Sequence, residues 1–259
     1  MAMTVFARFY RIVACLLATL AAAPAARADQ FDAAREQKYQ DCMAQAQRAP
    51  ADGYETALAW EGQGGGHPAR HCAAVALIGL GKYQEAADQL ESLAAGLAEK
   101  QQLQLAAEAF AQAGQAWKMA GDTKRALDDA AAGLKLAPED VDLLVDRAVA
   151  YATLGDFKSA IADLDKANTL SPKRADVLAY RASAWRLLDD LGKARADADM
   201  AVTLDPKNVE ALLERGNIRR LTDDAAGARA DWLQVVELAA GTPAGDAAKA
   251  NLERLDVKP

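Results

Sequence analysis

Histidine, cysteine and aromatic residues are scarce in this sequence, and positive charge is not in excess. Two histidines and three cysteines occur among 259 residues, and aromatic residues make up only 6% of the chain. So few histidines leave little material for acid–base catalysis or for a metal site. The net charge of -7 lacks the basic footprint that nucleic-acid binding needs.

The abundant residues point to helices. Hydrophobic residues account for 52% of the chain, and much of this share is alanine, which has the highest helix propensity. Glycine and proline lie at intervals along the sequence, whereas strands would favour β-branched and aromatic residues. The composition therefore predicts an all-α protein of stacked helices, long enough for one large domain or two small ones.

The first 28 residues have the order of a secretory signal peptide. Arg8 and Arg11 supply positive charge, an apolar run covers residues 12–23, and Ala26-Arg27-Ala28 offers a small-x-small cleavage site. We expect cleavage after Ala28, which removes three arginines and no acid and takes the net charge from -7 to -10. We expect the protein to be secreted across the inner membrane. In a Gram-negative bacterium its location would then be the periplasm.

Two other interpretations of this segment are weaker. A membrane anchor would need about 20 apolar residues, and the apolar run is shorter than that. Lipid attachment at Cys15 would need an apolar stretch before Ile12-Val13-Ala14-Cys15, but Arg11 directly precedes this motif. We therefore expect no stable membrane insertion after cleavage.

Cys42 and Cys72 remain in the expected mature chain. An exported protein meets an oxidising compartment in which cysteines pair. A bridge between these two would close a loop of about 30 residues and contribute about 3–4 kcal/mol of stability. The alternative is a pair of buried free thiols, and we expect the disulfide.

A period of 34 residues runs through the chain from about residue 107. Each column holds one residue type or one size class at the same place in successive repeats. The columns are Pro138, Pro172 and Pro206; Ala126, Ala160, Ala194 and Ala228; Asp129, Asp163, Asp197 and Asp231; Leu136, Leu170, Leu204 and Leu238; Phe110, Leu144, Leu178 and Leu212; Trp117, Tyr151 and Trp185; and Gly114, Ala148, Ala182 and Gly216. Their agreement indicates four units, at 107–140, 141–174, 175–208 and 209–242.

Each unit is predicted to be two helices joined by a tight turn. In the second unit, Leu144, Ala148 and Tyr151 form an apolar stripe at helical spacing. Gly155 suits the left-handed cap that ends this helix, and the aspartate after it caps the next helix. Pro172 ends the second helix because proline has no N–H to donate.

This unit resembles the tetratricopeptide repeat in its length and in its order of small, aromatic, Gly-Asp, Ala and Pro positions. The resemblance implies a right-handed α-solenoid of stacked helix-turn-helix units, and it is specific for fold but weak for function. Asp189 and Asp223 replace the turn glycine, Arg219 replaces the aromatic residue, and Ala240 replaces the proline. The losses in the fourth unit suit a terminal repeat, so residues 243–259 are predicted to form a capping helix and a tail.

Residues 29–106 form the predicted N-terminal helical region. Its segment 67–100 keeps the order of a degenerate repeat, with six extra residues before the next unit. Two further helices are predicted, at 30–48 and 54–61. A disulfide between Cys42 and Cys72 would tie the first of them to the degenerate unit.

Two local motifs of this region are not interpreted as sites. Residues 62–66 are rich in glycine but lack the Lys-Ser/Thr ending of a phosphate loop, so we predict a turn. His67 and His71 lie four residues apart beside Cys72, and one helix face could offer both imidazoles to a metal ion. No third ligand lies nearby and Cys72 has a better partner, so neither a metal nor a cofactor is expected.

A further column is charged. Arg147, Arg181 and Arg215 lie on first helices, and the aspartate column lies on second helices. Pairing within a unit would leave Asp129 facing Ala113, whereas pairing with the following unit leaves no aspartate alone. We therefore predict Asp129–Arg147, Asp163–Arg181, Asp197–Arg215 and Asp231–Lys249, as pairs that set the stacking register rather than add much stability. The alternative is that these arginines bind a ligand.

Stacked units form a concave face lined by first helices. By resemblance to the family, ligand contacts fall on this face, at Gln115, Lys118, Val149, Thr153, Ser183, Arg186, Asn217 and Arg220. The three cations among them favour an acidic peptide or a C-terminal carboxylate. The asparagine-and-lysine clamp of some family members is not reproduced, because Val149 and Ser183 stand where it needs amides. The alternative, that all eight are solvated helix positions, stays open.

These features predict a non-enzymatic scaffold of the cell envelope that binds a protein or peptide in its concave groove. The sequence shows no nucleophile–base pair, metal set or cofactor motif. The alternative is a structural, self-associating assembly factor that binds through its outer faces or ends. Nucleic acid is not an expected partner, and the oligomeric state is left open.

Overall fold

The computed structural model of the protein describes residues 23–256, with side chains from residue 33 onward. This part of the chain forms thirteen α-helices and no strand, which confirms the predicted all-α class. The helices are α1 Ala23–Arg48, α2 Pro50–Gly62, α3 Gly66–Gly79, α4 Tyr83–Glu99, α5 Leu103–Ala120, α6 Thr123–Leu136, α7 Val141–Thr153, α8 Phe157–Leu170, α9 Ala175–Leu187, α10 Leu191–Leu204, α11 Val209–Leu221, α12 Ala225–Leu238 and α13 Pro243–Asp256.

Most of the predicted signal peptide, residues 1–22, lies outside the described residues. Helix α1 begins at Ala23, so the predicted cleavage site after Ala28 falls in its first turns. None of the described helices is long and apolar enough to cross a membrane. Cleavage and export stay predictions.

The chain divides into two compact units, and the first of them ends at Lys82. In this unit α1, α2 and α3 pack together around small apolar side chains. Cys42 and Cys72 form a disulfide that joins α1 to α3, and both residues are almost fully buried. The close packing of α2 on α1 depends on Gly53, because a Cβ there would lie 2.4 Å from the Cα of Ala46.

The second unit begins at Tyr83 and contains α4 to α13. The two helices of the predicted degenerate repeat, α3 and α4, thus fall on either side of the division. After α4 come four helix pairs, α5/α6, α7/α8, α9/α10 and α11/α12. Each pair lies inside one predicted repeat, except that α5 begins four residues before the first predicted unit. We call these pairs repeats one to four.

First helices form the inner layer of this stack. Each first helix packs against the second helix of its own repeat, and first helices of neighbouring repeats also contact one another. Second helices of neighbouring repeats make no comparable contact among the described residues. A stack curves toward the layer whose members touch, so the first helices line its concave side.

The turns inside the repeats follow the sequence prediction. Gly121 and Gly155 have φ of 83° and 84°, in the left-handed region that favours glycine. Asp189 and Asp223 occupy the same place in repeats three and four and are held at φ of 64°. The following aspartates each accept a backbone N–H bond at the start of the second helix: Asp122, Asp156, Asp190 and Asp224.

The column of small residues marks where two helices cross. In repeat four a Cβ on Gly216 would lie 2.4 Å from Nε1 of Trp232, which is fully buried. Trp232 belongs to the same core as Leu212 and Ala248. Helix α13 supplies Ala248 to this core, with its leucines packed alongside, and it lies in the segment where the sequence predicts a capping helix.

Candidate functional site

The charged column pairs within repeats, not between them. Nε and Nη2 of Arg147 donate to the two carboxylate oxygens of Asp163 at 2.7 and 2.6 Å. Arg181 binds Asp197 in the same way, at 2.7 Å for both bonds. In repeat four, Arg215 binds Asp231 at 3.0 and 2.7 Å.

The predicted pairing with the following unit is therefore wrong, including the proposed partner Lys249, which approaches Asp246 at 3.6 Å instead. The reason is the antiparallel geometry of one repeat. Arg147 lies eight residues before the turn at Gly155 and Asp163 lies eight residues after it, so folding at the turn brings the two side chains together.

Neighbouring repeats are joined by a different aspartate. Nη1 of Arg181 donates to Asp165 of the preceding repeat at 2.9 Å. Arg215 approaches Asp199 of its preceding repeat at 3.9 Å. Each of these guanidinium groups thus contacts two second helices, and the sequence columns did not reveal the second contact.

Because the pairs form inside repeats, Asp129 is the aspartate of the column that has no arginine to bind it. It is 6% exposed, and its Oδ2 has no hydrogen-bond partner within the described part of the chain. Burial, followed by the charges of Glu91 and Asp128, raises the pKa of this carboxyl to about 7, and Arg125 offsets part of the effect. Ala113 stands where the next three repeats have arginine.

Four of the eight predicted groove residues come together in one place. Gln115, Lys118, Val149 and Thr153 line a pocket of about 230 Å³ between α5, α6 and α7. Its wall also contains residues that the sequence interpretation missed, namely Phe110, Ala111, Gly114, Thr123, Ala126, Ala130, Asp146 and Ala150.

The mouth of this pocket is polar. Burial raises the pKa of Asp146, and the charge of Lys118 and a hydrogen bond with Gln115 act in the opposite direction. An ammonium group, an amide and a carboxylate therefore lie close together on the inner layer. The hydroxyl of Thr153 donates to the carbonyl of Val149 at 2.8 Å and is already occupied.

Two of the other four predicted groove residues, Arg186 and Asn217, belong to a polar contact between repeats three and four. Arg186 makes two hydrogen bonds to Glu214 of repeat four, one of them 3.3 Å long from Nη2 to Oε2. Glu214 is only 7% exposed. Asn217 donates to Glu214 and accepts from Asn251 of α13 at 3.0 Å.

The groove is consequently less basic than its sequence suggested. Glu214 neutralises Arg186, which leaves Lys118 and Arg220 as the exposed cations of the predicted set. Ser183 is half-buried and lies outside the pocket wall. An acidic partner thus has weaker support than the sequence alone gave it.

The two local motifs of the N-terminal region lie in and around the turn between α2 and α3. Within residues 23–256, no group of three or more His, Cys, Asp and Glu side chains could hold a metal ion. Nδ1 of His71 lies 2.7 Å from the hydroxyl of Tyr39, and Cys72 is in the disulfide. The glycine run forms the predicted turn between α2 and α3, where Arg35 donates to the carbonyl of Gly65 at 3.0 Å.

Comparison with known proteins agrees with this architecture. The tetratricopeptide repeat family model matches residues 118–185. A tetratricopeptide repeat protein of Parabacteroides merdae is 17% identical, with a TM-score of 0.66 over 84% of this chain and 88% of that one. A thermophilic TPR protein of Thermus thermophilus is 20% identical, with a TM-score of 0.58 over 72% of this chain and 99% of that one.

A fragment of MamA from Desulfovibrio magneticus, from residue 41 to the end, is 22% identical, with a TM-score of 0.56 over 66% of this chain and 94% of that one. At these identities the solved structures show a shared fold only. No functionally curated protein matches the sequence. The family match over residues 118–185, the repeat columns and the helix pairs agree on one architecture, a stack of helix pairs similar to tetratricopeptide repeats.

Proposed function

We propose that the chain is a non-enzymatic scaffold that binds a protein or peptide on the inner layer formed by its first helices. The observation that carries the proposal is the pocket between repeats one and two, with an apolar wall and a polar mouth on that layer. Concave surfaces of stacked repeats are long enough to hold an extended segment of a partner. The proposal includes export, with residues 1–28 as the signal peptide.

A capture experiment with a matched control tests the binding surface. The full-length chain, a Lys118→Glu/Arg220→Glu variant and a Lys124→Glu/Lys158→Glu variant are each used to capture proteins from envelope extract. Both pairs are exposed lysine or arginine residues, but the control pair lies on second helices. Arg186 is left unchanged because it holds Glu214 between repeats.

A partner retained by the control and lost by the first variant places binding on the inner layer. Equal retention by both variants contradicts the proposed surface. Export is tested separately by N-terminal sequencing of the protein from its source, where the proposal requires a chain that starts at Asp29.

A second candidate function is self-association. Five large apolar side chains, each more than a third exposed, lie at the C-terminal ends of four successive first helices: Met119, Leu154, Leu187, Leu188 and Leu221. Exposed apolar side chains mark a contact surface where they form one contiguous patch. Sedimentation over a hundredfold range of protein concentration tests self-association, since a constant monomer mass excludes this function.

A further inference from the structure

The pocket between repeats one and two exists because the first repeat has small residues where the second has large ones. Thr123 and Ala130 stand 34 residues before Phe157 and Leu164. Leu164 is fully buried in its own repeat and Phe157 is half-buried. In repeat one the smaller Thr123 and Ala130 line the pocket at these two places.

Repeats three and four each have one large residue at these two places, Leu191 and Trp232, so the combination of two small residues belongs to repeat one among the four repeats. Gly114 adds to the pocket, because repeats two and three have alanine at this place. A Cβ on Gly114 would lie 3.2 Å from the carbonyl oxygen of Ala126, so glycine also lets α5 and α6 approach closely. Phe110, Val149 and Ala150 complete an apolar wall.

Its size selects the class of ligand. Sites for drug-sized molecules and cofactors measure roughly 300–1,000 Å³. This pocket, at about 230 Å³, is smaller than that range but much larger than a single water, which occupies about 30 Å³. A large amino-acid side chain fits between these limits.

The groups at the mouth suit a polypeptide backbone. Gln115 and Asp146 share a hydrogen bond, but an amide has a second N–H and an oxygen, and a carboxylate accepts several bonds. With the ammonium of Lys118, the mouth therefore still offers donors and acceptors to a ligand. Their charges balance, so neither an acidic nor a basic ligand is favoured. A peptide bond is neutral and offers one donor and one acceptor, which matches this set.

We propose that this pocket receives one large apolar side chain from an internal segment of a bound polypeptide, while Gln115, Lys118 and Asp146 bind the backbone beside it. The inference rests on the proposed function of the inner layer and specifies its ligand. It replaces an acidic tail by an apolar anchor residue as the feature that the protein recognises.

The probes are blocked single amino acids, which carry peptide bonds on both sides of one side chain. N-acetyl-L-tryptophanamide and N-acetyl-L-leucinamide are titrated into the full-length ¹⁵N-labelled chain, and N-acetylglycinamide and N-acetyl-L-aspartamide serve as the comparison probes. We expect saturable shifts of the backbone amide signals of Gly114, Gln115, Val149 and Ala150 with the first two probes. Affinity should be about 10- to 100-fold lower without the apolar side chain.

Three variants locate the binding. Thr123→Phe/Ala130→Leu introduces the residues that repeat two already has and should abolish the shifts, and Thr123→Phe alone tests the same point with less disturbance. Lys135→Leu, on the exposed side of α6, adds an apolar group outside the pocket and should bind as the unchanged chain does. Circular dichroism and thermal unfolding establish that each variant is folded.

Tighter binding of the aspartate probe, or shifts that persist in a folded Thr123→Phe chain, would overturn the inference. So would the absence of saturable shifts with both apolar probes. The capture experiment is independent of this one. A partner lost with Lys118→Glu/Arg220→Glu but kept by Thr123→Phe would support the scaffold and reject the anchor pocket, whereas probe binding without a groove-dependent partner would do the reverse.

Discussion

Asp129→Asn should stabilise the protein at neutral and alkaline pH. Asp129 is buried, its Oδ2 has no hydrogen-bond partner within the described residues, and repeat one lacks the arginine that binds the equivalent aspartates. Arg125, whose charge lowers the pKa of Asp129, contacts Asp88 at 3.3 Å and lies 4.3 Å above the ring of Trp117. Ionised Asp129 is therefore poorly compensated, and asparagine removes its charge at nearly constant shape.

The size of the effect follows from proton linkage. The carboxyl titrates near 3.8 in the unfolded chain and at about 7 in the folded one, because of burial and the charges of Glu91 and Asp128. The folded state thus holds the proton more tightly, so this group contributes stability that is complete below pH 3.8 and is lost as the pH rises through 7. The difference amounts to about 4 kcal/mol at most.

Urea unfolding of the unchanged chain and of Asp129→Asn at a series of pH values measures this difference in stability. The difference in unfolding free energy should be near zero around pH 4 and should increase to several kcal/mol in favour of Asp129→Asn by about pH 8. Subtracting the two curves removes the titration of the other groups. A carbon NMR titration of the Asp129 carboxyl gives its pKa directly.

The same substitution in repeat two is the control. Asp163→Asn leaves Arg147 without its carboxylate, so it should destabilise the protein by about 2–4 kcal/mol at neutral pH. Opposite signs at two equivalent positions would follow only from the presence or absence of the arginine. A difference curve for Asp129→Asn that is flat, or destabilisation at pH 8, would refute the reasoning.

Three further changes test the repeats and the N-terminal unit. Asp189→Gly should raise the unfolding free energy by about 0.5–1 kcal/mol, since φ of 64° is strained for aspartate, and a decrease in urea midpoint would contradict this. Gly216→Ala should lower the free energy of unfolding by about 1–3 kcal/mol, because the new Cβ would overlap Trp232. An unchanged melting temperature would contradict this and show that the two helices can move apart. Reduction of the Cys42–Cys72 disulfide should destabilise the first three helices by about 3–4 kcal/mol. Amide hydrogen exchange of these helices measures the loss. The control is a Cys42→Ser/Cys72→Ser chain, whose exchange should be the same with and without reductant.

Much of the second unit could be predicted from the sequence because its information is local and repeated. The turn at Gly155 and the cap at Asp156 each depend on a few adjacent residues, so their place in the sequence predicts their place in the fold. The column of small residues found in the sequence is the place where the helices cross closely, as Gly216 and Trp232 show.

The pairing of the charged column needed three-dimensional positions. A period of 34 residues places every arginine and aspartate in its column but does not say which columns face each other, and the assumption that no buried acid stays alone selected the wrong pairing. Asp129 is alone in the structure, and its raised pKa is the consequence.

In the groove, too, some features follow from the sequence and others only from the tertiary structure. The sequence by itself determined the period, the helix pairs, the caps and the layer on which Gln115 and Lys118 lie, because these follow from short-range spacing. Only the tertiary structure decided that Glu214 neutralises Arg186 and that Thr123 and Ala130 leave a pocket, because both depend on which side chains of different helices meet and on how much space they fill.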